Sequence, residues 1–216
     1  MKRSLPTIAA TALCLFCSEA KASLTYGFVN ITHNDIVNAG IGEAQLFMEL
    51  GDPVDNQVRL TFSNTGPQAS SITQVYFDDG GLLSFASIDD SLVGVEFSQG
   101  ANPPELPAGN TVAPTFTTAA GLSFGSDPPA PANGVNPGEW VALTFNIDPL
   151  TDLQEQIALG VLRIGIHVQA IGAGGSEAFI LGQPLDGNAT VPAPGAVVLA
   201  GIGAGLVGLL RRHNAF

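Results

Sequence analysis

The residues able to do chemistry in this chain are mostly carboxylates. Between Ser23 and Thr190 stand eighteen Asp and Glu side chains, His33 and His167, and neither cysteine nor lysine. Two acid pairs, Asp78-Asp79 and Asp89-Asp90, fall at the ends of expected strands. Calcium takes clustered carboxylate and carbonyl oxygens on loops, so these four, with Asp52 and Asp55, are the candidate metal ligands and calcium the metal they suit. The competing reading is turn chemistry, because Asp hydrogen-bonds its own neighbouring backbone. Two carboxylates at a suitable separation could also hydrolyse a glycosidic bond. The chain holds no Gly-x-Ser-x-Gly elbow, no His-Glu-x-x-His and no phosphate-cradling loop followed by lysine, so no catalytic residue is named and no cofactor beyond calcium is implied. Trp140, Tyr26 and Tyr76 are rings that could stack on sugars, with a core role expected for Trp140 at the head of a strand. His167 would share a face with Arg163 and Gln169, a polar surface stripe with a structural role.

The elements that must position these residues show a period of two. Val58, Leu60 and Phe62 alternate with Arg59, Thr61 and Ser63; Val141 to Ile147 and Leu162 to Gln169 alternate in the same way. Shorter candidates are Leu24 to Ile31, Ala44 to Leu50, Thr73 to Phe77, Leu82 to Ile88, Leu92 to Phe97 and Ala178 to Leu181, with Gly-, Asn- and Asp-rich turns between them. One helix is expected, capped by Asp148, with Pro149 at its first position, Leu150, Leu153 and Ile157 at helical spacing, and Gly160 as its stop. The expected fold is all-β: an antiparallel β-sandwich, jelly-roll-like, over residues 23–186, with that one short helix. Eight of the fifteen prolines lie between Gln99 and Gly138. This segment is expected to be a long surface loop without regular sheet.

Charge narrows the partners. Residues 23–190 carry only Arg59 and Arg163 against the eighteen acids, a formal charge of −16. Such a surface repels a phosphate backbone, which excludes nucleic acid, and repels anionic lipid for the same reason. Both cysteines, Cys14 and Cys17, precede Ser23, so disulfides are excluded from the body.

The two ends read as addresses. Lys2 and Arg3, an apolar run from Leu5 to Cys17, and small residues at Ala20 and Ala22 before Ser23 make a three-part secretory signal with cleavage expected after Ala22. Lipidation is disfavoured, since Leu13 and Phe16 precede the cysteines. At the other end, a turn-forming stretch from Asp186 leads into sixteen uncharged residues, Gly195 to Leu210, and then Arg211 and Arg212. Sixteen helical residues reach roughly 24 Å, just able to cross a hydrocarbon core of roughly 30 Å, and the arginines would hold that end in the cytoplasm.

The tail resembles the PEP-CTERM sorting signal of Gram-negative bacteria: Val191, Pro192, Ala193, Pro194 and Gly195 at the motif, 195–210 as the transmembrane helix, Arg211 and Arg212 as the basic cluster. Ala193 departs from the glutamate most frequent there. The resemblance implies an exosortase-type processing enzyme as partner, the inner membrane as the site held before processing, and an organism that makes exopolysaccharide. The stretch from Val58 to Phe85, with Pro137-Gly-Glu-Trp140, is similar to a body type that recurs with this tail and brings no assigned activity. Together these readings point to an exported, non-catalytic envelope or extracellular-matrix protein associating with exopolysaccharide or other surface proteins. A secreted carbohydrate-active hydrolase and a calcium-dependent lectin-like module are the alternatives.

Overall fold

The computed structural model describes residues 23–185. Ala20, Ala22 and the signal helix lie outside the described residues, as do Val191 to Gly195, Arg211, Arg212 and the transmembrane helix; Ser23 is the first described residue and is exposed. No described helix is long and apolar enough to cross a membrane.

The body is mostly β. Ten strands run in chain order: β1 (Leu24–Asn30), β2 (Leu46–Leu50), β3 (Gln57–Asn64), β4 (Ser71–Asp78), β5 (Ser84–Asp89), β6 (Phe97–Gln99), β7 (Ser123–Ser126), β8 (Glu139–Asn146), β9 (Arg163–Ile171) and β10 (Gly175–Pro184). All pairings between them are antiparallel, in one sheet of order β5-β8-β3-β2-β1-β10-β9-β4-β7-β6. Alternation explains the inner face. In β3, Val58, Leu60 and Phe62 are buried while Arg59, Thr61 and Ser63 face outward. Its hairpin with β2 turns through Asp55 and Asn56 at φ of 52° and 63°, the left-handed pair of a type I′ turn that matches strand twist, and Val54 and Gln57 close it with reciprocal backbone hydrogen bonds of 2.8 and 2.9 Å.

A sheet this wide coils under its own twist. Its two halves therefore face each other and make the body nearly barrel-like. Phe77 of β4 packs edge-on to Phe62 of β3 at 6.3 Å and Phe145 of β8 at 4.9 Å, and Phe85 of β5 lies 5.0 Å from Phe124 of β7. Of these rings Phe62, Phe77, Phe124 and Phe145 are fully buried, and each contributes roughly 1.5–3 kcal/mol of transfer free energy.

Three α-helices replace the single expected one: α1 (Ile36–Gln45), α2 (Ala130–Asn133) and α3 (Leu153–Ala158). Asp35 caps α1, accepting from Val37 N at 2.8 Å and Asn38 N at 3.0 Å. Gly42 lets that helix approach until a β-carbon there would sit 2.1 Å from the Phe179 ring. The helix near residue 150 starts later than expected. Asp148 instead organises a turn, accepting from Leu150 N at 2.9 Å, and Asp152 becomes the cap. Leu150 is 93% exposed, so its helical spacing was coincidental; Gly160 still ends the element, at φ 70°.

The Pro-rich segment is also corrected. Its proline-free window Ser123–Ser126 forms β7 and pairs with β4 and β6, while the strand expected from Leu92 begins only at Phe97. The stretch from Ala101 to Thr117 packs against the outer face of β4, β9 and β10, where Leu106 and Phe116 join Tyr76 and Ala178 in a second small core.

Candidate functional site

Half of the outer sheet face is covered and half is open. On the covered half, Tyr76 donates from its hydroxyl to Pro103 O at 2.9 Å, and Arg163 donates to Thr115 O at 2.7 Å and to Pro114 O. The Arg163 guanidinium also pairs with Asp78 and lies 5.4 Å from the Phe116 ring centre. His167 lies beneath this cover. It is buried against Gln74 Oε1, and burial holds its pKa below the usual histidine value. The expected polar surface stripe is thus broken at His167, which the Pro-rich cover removes from water, while Arg163 and Gln169 stay partly exposed.

The open half is carried by β3, β8 and β5. Register places Trp140 opposite Ser63 and on the outward face, where it is half-buried and outside the core assigned to it from sequence. The Arg59 guanidinium lies 5.3 Å from its ring centre and 2.7 Å from Asp89 Oδ2. That ion pair reaches from β3 to β5 across β8. It accounts for Ala142, an outward position between Thr61 and Asp89 that is nonetheless fully buried. With side-chain exposures of 44% and 36%, the pair contributes at most about 1 kcal/mol to stability. Ser91 Oγ, donating at 2.7 Å, and then Arg59 lower the Asp89 pKa, keeping the carboxylate ionised. An indole beside guanidinium donors, an ionised acceptor and the hydroxyls of Thr61 and Thr144 offers a flat amphipathic surface, suited to a ring with one apolar face and hydroxyl edges. Tyr26 and Tyr76 are 1% and 0% exposed and cannot serve this way.

The acid pairs are not brought together. Asp78 and Asp79 end β4 beside the start of β9, whereas Asp89 and Asp90 end β5 toward the opposite rim. Each has protein partners: Arg163 and Thr117 N for Asp78, Gly81 N and Leu83 N for Asp79, Arg59 and Ser91 for Asp89, Phe97 N for Asp90. Asp52 and Asp55 are exposed in the β2–β3 connection. Among the described residues no three His, Cys, Asp or Glu gather as metal ligands. His33 is exposed, in a left-handed conformation at φ 53°.

Two buried polar clusters went unnoticed in the sequence. Asn64 donates to Ser70 O at 3.1 Å and Val135 O at 3.2 Å and accepts from Gln45 Nε2 at 3.0 Å and Gly66 N at 3.1 Å. Glu177, 1% exposed, accepts from Asn30, Thr32 and the backbone N–H groups of Asn34 and Asp35. Burial opposes its ionisation, but these donors prevail and its pKa falls below the usual glutamate value. Asn-Thr-Gly and Thr-x-Asn-Asp read as ordinary turn signals, so only their burial marks them out.

No family model, no curated protein and no solved structure matches this chain.

Proposed function

We propose that this is an exported, non-catalytic protein of the cell envelope or extracellular matrix that associates with exopolysaccharide through the open face of β3, β8 and β5. The observation that carries the association is Trp140, half-exposed on that face beside the Arg59–Asp89 pair. The address rests on the signal segment before Ser23 and on the tail from Val191 to Arg212, read as a PEP-CTERM-type sorting signal processed by an exosortase-type enzyme. In the finer architecture, the two facing halves of the coiled sheet serve as the layers of a jelly-roll-like sandwich. Ligand contact then falls on an outer face rather than in a cleft.

The test combines two readouts on protein recovered from its native host. An intact mass running from Ser23 to near Pro194 is expected; a mass still including Phe216 removes the sorting claim. Retention on the host's exopolysaccharide is expected to fall at least tenfold in Trp140→Ala, with the far-UV circular dichroism unchanged. Equal retention removes this face from the reading. Sugar release would instead support the hydrolase, and retention lost on adding a chelator the calcium-dependent module.

A further inference from the structure

We infer that the rim at which the chain enters and leaves its β body is a shallow lipid-contacting surface that rests on zwitterionic headgroups. The inference concerns the chain before its tail is processed and rests on the reading that residues 195–210 are then seated in a bilayer. Antiparallel order brings the start of β1, the β2–β3 turn, the β8–β9 connection and the end of β10 to one rim, where Leu185 N donates to Thr25 O at 2.8 Å and Ile147 N to Asn56 O at 2.9 Å. Val54, Leu150, Leu159, Val161 and Leu185 stand on these connections, with exposures between 41% and 93%. At the opposite rim the exposed large apolar side chains are Ile36, Val37 and Val93.

Scattered surface leucines need no explanation, but their concentration where the chain departs does. Residues 186–194, even fully extended, span only about 30 Å, and the eight residues of β8 put the far rim roughly 26 Å beyond the near one. A tether this short raises the effective concentration of the near rim at the membrane, so a contact of low intrinsic affinity forms. Asp52, Asp55, Asp148 and Asp152 share those connections and repel anionic headgroups. The surface that fits is therefore zwitterionic.

Residues 23–216 contain no cysteine, which permits single-site labelling. Leu150→Cys, Leu159→Cys and the opposite-rim control Val93→Cys would each carry an environment-sensitive fluorophore, in phosphatidylcholine vesicles holding a headgroup-borne quencher. Quenching at 150 and 159 is expected to exceed that at 93 at least threefold, and to weaken when anionic lipid is added. Equal quenching at both rims in protein that floats with the vesicles overturns the rim contact and leaves the anchor intact. Failure to float overturns both, and stronger quenching with anionic lipid overturns the zwitterionic assignment.

Discussion

Arg59 and Arg163 each hold a carboxylate and an aromatic ring, and they do so on opposite halves of the outer face. Arg163 fastens the Pro-rich cover, whereas Arg59 stays half-exposed beside Trp140. The difference was not legible in sequence, since both arginines sit at outward positions of alternating strands. His167 has the clearest consequence for pH. Its folded pKa is depressed by burial, so the unfolded chain binds the proton more readily. The stability it confers is fully present above the unfolded value, about 6.5, and is lost as pH falls from there toward the folded value. Urea midpoints at pH 7.5 and 5.5 should show wild type losing stability and His167→Gln losing less; parallel losses would refute the assignment. Asn64→Ala is expected to cost about 1–3 kcal/mol by urea denaturation, because it takes the acceptor from Gly66 N and removes an internal donor from Ser70 O and Val135 O.

Among the elements, strands were more legible than helices: α3 was foreseen with too early a start, and α1 and α2 were not foreseen. Val58 to Ser63 alternates strictly, and one-sided burial enforces that pattern; Val141 to Ile147 follows it except at Ala142, which lies under the Arg59–Asp89 pair. Helix α1 contains two glycines and shows no sharp apolar stripe, so only its docking against Phe179 explains it. That docking yields an expectation opposite to helix propensity. Gly42→Ala would favour the isolated helix by about 1 kcal/mol. The added methyl meets the Phe179 ring, however, and overpacking costs about 1–3 kcal/mol. Net destabilisation is expected in thermal unfolding; a raised melting temperature would show that the helix can draw back without loss. The Pro-rich segment was misjudged because proline content describes a stretch on average, while strand pairing needs only the four proline-free residues Ser123–Ser126.

At the scale of the molecule, the −16 charge of residues 23–190 works against compactness. Raising salt from about 0.01 M to about 0.15 M shortens the screening length from about 30 Å to about 8 Å. The melting temperature should therefore rise by several degrees, and a fall would mean that ion pairs such as Arg59–Asp89 outweigh the repulsion. The amino-acid sequence by itself determined the charge balance, the strand periodicity and the antiparallel β class, since all of these follow from residue type and local spacing. Only the tertiary structure decided which outward faces are covered, that Trp140 lies open while His167 is enclosed, and that the two acid pairs lie apart. Those outcomes depend on which strands become neighbours and how a wide sheet coils, and both are set by contacts between residues far apart in the chain.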